Sequence, residues 1–213
     1  MPRRLLVKWG LVAFLVSAIG CAGGMKAKRA PIDSIPEGTE PDKRLELLEE
    51  MALTYPDDAR LYYEMGNYYY DQLLPNEART NYEKALTLDP GFNMARVNLA
   101  MLLLDSDEAD SAKVLLDEAI RRDPKDSKAY NNLGMVYYSE LDVGTAVRYF
   151  ERALEIDPDN SEARYNLGLA FAESGLLLEA IREWRTIIDA GANDETTNRA
   201  KMSLERAEQQ LRQ

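Results

Sequence analysis

Between Ser127 and Asn160 the apolar residues recur at the spacing of two short amphipathic helices joined by a turn. The same pattern repeats along the chain at a step of 34 residues. That step aligns Pro56, Pro90, Pro124 and Pro158, then Met65, Leu99, Leu133 and Leu167, and then Ala78, Ala112, Ala146 and Ala180. Four complete units follow, at 59–92, 93–126, 127–160 and 161–194. Each is predicted to be a helix, a turn and a second helix. The residue before each proline is driven toward an extended backbone, which ends the second helix of a unit.

Two residues after the prolines stand Asp58, Phe92, Asp126 and Asn160, with Asp194 in the same column. Four of these five are side chains suited to accept from the first free amides of the next helix. At Phe92 the cap is expected to pass to Asn93. Small residues recur where helices must approach closely, namely Gly66, Ala100, Gly134 and Gly168 on the first helix and the alanine column on the second. Tyr69, Leu103, Tyr137 and Phe171, with Tyr82, Leu116, Phe150 and Trp184, are the large partners beside them. The second unit is the least regular, with Arg96, Ala100 and an acidic turn from Asp105 to Asp110. That turn lacks the glycine and twelfth-position glutamate of a calcium loop and reads as solvated. Residues 42–55 read as one helix, the second half of a unit whose first helix Pro31 and Pro36 exclude. Residues 195–213 read as a closing helix with Ala200, Leu204, Ala207 and Leu211 on one stripe. These two elements are expected to cap the array.

The columns resemble tetratricopeptide repeats, whose unit is also a helix–turn–helix of 34 residues. The resemblance implies an all-α, right-handed α-solenoid whose first helices line a concave face that binds peptides. Carried onto this chain, the lining comprises Tyr63, Asn67, Tyr70, Val97, Asn98, Met101, Lys128, Asn131, Asn132, Met135, Tyr138, Tyr165, Asn166 and Leu169. Asn98, Asn132 and Asn166 form a ladder of amides able to donate to and accept from an extended backbone, and asparagine is also ordinary in that column. One subclass of the family clamps C-terminal carboxylates of chaperones. Asn67, Asn98 and Lys128 match that clamp, but Tyr63 and Asn132 replace two of its cations, which leaves a carboxylate poorly paired. The expected ligand is therefore a protein or peptide segment that is apolar or aromatic, with basic flanks.

The formal charge is −11, and the first twenty residues contribute Arg3, Arg4 and Lys8 without an acid, so the remainder carries −14. Nucleic acid is not an expected partner of such a surface. Residues 1–20 have the layout of a secretory signal: a basic start, an apolar run from Trp9 to Ile19, then small residues. Cys21, the sole cysteine, follows Ser17-Ala18-Ile19-Gly20, which resembles the lipobox of bacterial lipoproteins. Ala18 departs from the leucine usual at its position. The resemblance implies lipidation at Cys21 and, with Ala22 after it, an outer-membrane anchor facing the periplasm. An ordinary signal or an uncleaved anchor is the competing reading. Residues 21–41, rich in Gly and Pro, read as a flexible tether, about 25 Å end to end for twenty residues.

Histidine is absent, and neither a phosphate loop nor a nucleophile elbow is present, so no catalytic residue, metal or cofactor is expected. The sequence thus points to a lipid-anchored adaptor in envelope, pilus or secretion-system assembly, or in cell-wall enzyme regulation. Self-association through the terminal helices is the alternative.

Overall fold

The computed structural model describes residues 29–192 and 194–212, so the signal and Cys21 lie outside the described residues. A helix α1 (Pro41–Thr54) precedes four antiparallel pairs. These are α2 (Ala59–Asp71) with α3 (Pro75–Leu88), α4 (Asn93–Asp105) with α5 (Ala109–Arg122), α6 (Ser127–Ser139) with α7 (Val143–Ile156), and α8 (Ser161–Glu173) with α9 (Leu177–Asp189). A last helix, α10 (Glu195–Leu211), follows. Each helix packs mainly on its neighbours in sequence, while α4, α6 and α8 also touch one another in a row. The result is an all-α solenoid whose core is a continuous seam.

The expected caps form at four of the five positions. Asp58, Asp126, Asn160 and Asp194 accept from the amides of Arg60, Ala129, Ala163 and Thr197. Asn93 does not take over from Phe92 as cap. Its amide nitrogen instead donates to the Ala119 carbonyl at 3.2 Å and to Asp126 Oδ2 at 2.9 Å. Ser127 takes the equivalent place in the following unit, donating to the Ala153 carbonyl at 2.9 Å while Asn160 donates to its hydroxyl at 2.7 Å. The first residue of these units thus joins their own second helix to the next cap.

Close approach explains the small-residue column. A Cβ on Gly66 would lie 2.6 Å from the Tyr82 ring, and one on Gly134 would lie 2.6 Å from the Phe150 ring. Gly168 meets Trp184 in the same way. In the second unit the facing residue is the smaller Leu116, and Ala100 fits.

The turns inside the units share one backbone geometry. Leu73, Asp107, Leu141 and Gly175 all have positive φ, between 58° and 77°. Glycine adopts this conformation freely, whereas an L-residue such as leucine pays a steric cost of about 1–2 kcal/mol. Leu73 and Leu141 are 86% and 81% exposed, so burial offsets little of it. Leu73→Gly and Leu141→Gly are each expected to raise stability by roughly 0.5–1 kcal/mol, after the greater chain entropy of glycine is deducted. Urea unfolding checks this, and a lower midpoint for both variants would contradict it.

The expected flexible tether ends earlier than residue 41. Ala30, Ile32 and Ile35 are buried against Leu48, Leu61 and Met65, with Ile32–Ser34 in a single 3-10 turn. The Ala30 amide donates to Asp58 Oδ2 at 2.7 Å, and Arg60 donates to the Ala30 carbonyl at 2.9 Å. Burial alone would raise the Asp58 pKa, but hydrogen bonds from Arg60 and the Ala30 amide outweigh it and hold the carboxyl below its usual value. Two isoleucines and an alanine among prolines are enough to cover the edge that the missing first helix would have covered.

At the other end α10 lies on α8 and α9 in the manner of a fifth first helix. Ala200 and Ala207 are buried and Leu204 is partly buried, as the stripe requires. Leu211 is 48% exposed, contrary to that stripe, and Thr196 and Thr197 are buried instead. Among the described residues no helix is long and apolar enough to cross a membrane.

Candidate peptide-binding groove

Successive first helices present equivalent residues side by side, and the fourteen expected lining residues divide into an open set and a closed set. Asn67, Tyr70, Asn98 and Met101 converge, with Asp71 and Tyr82, on a pocket of about 390 Å³ between the first two units. Asn67 Oδ1 accepts from Asn98 Nδ2 at 2.8 Å and from the Tyr82 hydroxyl at 3.0 Å. The Asn67 amide nitrogen and the Asn98 carbonyl oxygen have no hydrogen-bond partner among the described residues. One donor and one acceptor therefore remain for an extended backbone, the pair such a ligand needs.

Tyr70 forms the wall of this pocket. Its hydroxyl donates to Asp105 Oδ2 at 2.9 Å. Partial burial, then this hydrogen bond, push its pKa up to about 12. On its other side a second hollow of about 330 Å³ is lined by Leu73, Pro75, Leu102, Asp105 and Ser106. The first hollow is amide-lined and the second mainly apolar, and Asp71 lines the one and Asp105 the other.

Elsewhere much of the expected lining is closed. Val97 and Tyr165 are buried, at 4% and 7% exposure, and belong to the core. Tyr165 is covered because α10 lies over it: its hydroxyl is 3.3 Å from Ser203 Oγ, and the Arg199 guanidinium sits 4.2 Å from its ring centroid. Asn131, Asn132 and Asn166 are also buried. Asn166 donates to Asn131 Oδ1 at 2.9 Å, and Asn131 donates to Asn132 Oδ1 at 3.1 Å. The expected open ladder is thus, in its later half, a chain of amides occupied with one another, because burying an unpaired amide is costly. Tyr63 is packed, its ring 4.9 Å from Phe92 and 6.3 Å from Tyr82. Met135, Tyr138 and Leu169 are partly buried against the core, and Lys128 is exposed at the start of α6.

Sequence reasoning placed Tyr82 only in a packing column. Its hydroxyl reaches the pocket because the ring packs closely against Gly66, so the glycine itself was the signal.

Three family models, each described as tetratricopeptide repeat, match residues 74–134, 127–160 and 149–182, together just over half of the chain. The chain belongs to the tetratricopeptide repeat family. Solved structures agree on the fold. The repeat protein TTC0263 of Thermus thermophilus is 20% identical over 77% of this chain and 90% of its own, with a TM-score of 0.69. MamA of Desulfovibrio magneticus RS-1 is 23% identical over 70% of this chain and 84% of its own, with a TM-score of 0.59. YrrB, described as a repeat protein with an unusual peptide-binding site, is 23% identical over 76% and 84%, with a TM-score of 0.54. No curated protein matches. At these identities the likeness extends to the fold alone, and with the family it supports a protein-interaction scaffold.

Proposed function

We propose that this chain holds a protein segment in the pocket between its first two repeats, as a lipid-anchored adaptor of the bacterial envelope. The observation that carries the reading is the open pocket at Asn67, Tyr70, Asn98 and Met101, with a free amide donor and acceptor and with Asp71 at its edge. Its chemistry suits an extended segment with an apolar or aromatic side chain and a neighbouring cation. The lipobox-like stretch ending at Cys21 supports attachment to the outer membrane, facing the periplasm. An anchored adaptor raises its effective concentration toward a membrane-embedded client. Assembly of a pilus or secretion system, or regulation of a cell-wall enzyme, is the setting this arrangement serves.

The test uses a fluorescent peptide with an aromatic centre and lysine flanks. Tyr70→Ala combined with Asp71→Lys is expected to weaken its binding about tenfold or more, equivalent to about 1.4 kcal/mol. Met135→Ala leaves the affinity unchanged. Equal binding by wild type and the double variant, read by anisotropy, would remove the pocket from the account. Self-association remains the second reading because Met202 and Leu211 on α10 are 65% and 48% exposed. A monomer at every concentration in sedimentation counts against it.

A further inference from the structure

The third repeat carries another concavity, of about 350 Å³, lined by Tyr130, Tyr137, Thr145, Arg148, Tyr149 and Arg152. At 100° per residue, Tyr130 and Tyr137 share one face of α6, and Asn132 and Met135 lie on the opposite one. This pocket therefore opens on the outer side of the solenoid, away from the groove. The Tyr137 and Tyr149 rings stack with centroids 5.3 Å apart and planes 5° from parallel. The Arg152 guanidinium lies 5.8 Å from the Tyr130 ring centroid, and Arg148 donates to Thr145 Oγ1 at 2.9 Å. From α5, Lys113 stands 4.7 Å from the Tyr137 centroid while pairing with Glu140 at 2.8 Å.

The other three repeats serve as internal controls, because each fills the same positions differently. In the fourth, Glu183 replaces Tyr149 and pairs with Arg164 at 3.0 Å, and Glu179 replaces Thr145. In the second, Glu118 replaces Arg152 and holds Arg121 and Arg122. In the first, Glu77 replaces Thr145 and stands in the same unit as Lys84. An acid thus occupies at least one of these positions in every repeat except the third. The position of Tyr130 differs too. Tyr62, Arg96 and Arg164 each donate to the carbonyl of the proline six residues before, Pro56, Pro90 and Pro158. Tyr130 makes no such bond to Pro124, and its ring backs Arg152 as the Tyr62 ring backs Lys84, at 5.7 Å.

The third repeat alone has no acid at these positions, in a chain with 37 acidic and 26 basic residues. Arg148 has no carboxylate within ion-pairing distance among the described residues, and the Glu155 partner of Arg152, at 2.7 Å, is itself 64% exposed. Exposed pairs of that kind hold weakly and exchange readily. Burial, then Tyr137 and Asp117, push the Tyr149 pKa up. Arg148 and Arg152, one helical turn apart, present two guanidinium forks to one side, and the tyrosine faces offer a wall for a flat or apolar neighbour.

We propose that this pocket is a second binding site, which takes an acidic segment of a protein partner. A carboxylate lodges between Arg148 and Arg152, and the adjoining side chain lies on Tyr130 and Tyr149. The chain then has two sites of opposite charge preference on opposite faces: an acid-rimmed pocket for a basic, apolar segment and an arginine–tyrosine pocket for an acidic one.

The test is anisotropy on the full chain in detergent. The probes are a short peptide of alternating glutamate and phenylalanine, its lysine counterpart, and inorganic phosphate as competitor. The acidic peptide is expected to bind, to weaken with added salt, and to lose at least about tenfold in affinity in Arg148→Glu/Arg152→Glu. Tyr70→Ala leaves it unchanged, so this result and that of the groove stand or fall separately. Arg148 and Arg152 are exposed, and Arg148→Gln/Arg152→Gln carries the same test if the charge reversal harms folding. Absence of binding, equal binding of the lysine peptide, or affinity indifferent to both double variants overturns the proposal. Competition by phosphate as effective as by the unlabelled acidic peptide reduces the pocket to a simple anion site and overturns it as well.

Discussion

Phe150→Ala is expected to lower the unfolding free energy by about 3–5 kcal/mol, the range for deleting a fully buried aromatic ring. Phe150 has no exposed surface, and its ring fills the space that Gly134 leaves by having no Cβ. The loss does not stay local. Ala146, Leu167 and Ala170 share its cluster, so the ring joins the third repeat to the fourth. In a linear array stability is a sum of unit and interface terms, and a break at this interface is expected to split one unfolding transition into two. Gly134→Ala offers an internal check. Alone it drives a methyl group to 2.6 Å from the ring and destabilises. With Phe150→Ala already present that clash is gone, and the helix gains about 1 kcal/mol from the better helix former. The double variant is therefore more stable than the sum of the single effects, and a thermodynamic cycle in urea measures the difference. Strict additivity would show that ring and glycine do not constrain each other.

The second large effect concerns α10. A chain that stops after Gly191 uncovers Ile181, Trp184 and Ile187, now buried at 6%, 2% and 3% exposure. Each large apolar side chain returned to water costs about 1.5–3 kcal/mol, so the fourth repeat is expected to unfold well before the others. Calorimetry should show an early transition absent from the full chain, and a dye that reports exposed apolar surface should bind below it. The same truncation uncovers Tyr165, which α10 closes off through Ser203 and Arg199. A single transition at the original temperature would show that the fourth repeat needs no cover.

The architecture was legible because close packing and helix termination act through single residue types at fixed intervals. A proline, a small residue and a cap recur at one step, and each has one physical use. The site was less legible because its exposure depends on pairs of columns meeting across repeats. Asn98 and Asn166 stand in the same column, yet the first lines the open pocket and the second is buried against Asn131. Sequence spacing alone cannot tell an amide that faces water from one that faces its neighbour. Tyr165 was misplaced for a related reason, since α10 behaves as a further first helix and covers the side of α8 that carries it. Ala30, Ile32 and Ile35 were hidden by composition: three apolar residues among prolines carry no periodicity, yet each finds a place on the first repeat.

The clasp formed by Ala30, Asp58 and Arg60 has a mechanical consequence. With Ala30 held by Asp58 and Arg60, a pull from the N-terminal side is borne first by these hydrogen bonds and by the buried Ile32 and Ile35. The load path from the N-terminal side thus enters through the first repeat, which also carries the open pocket, before it reaches the later repeats.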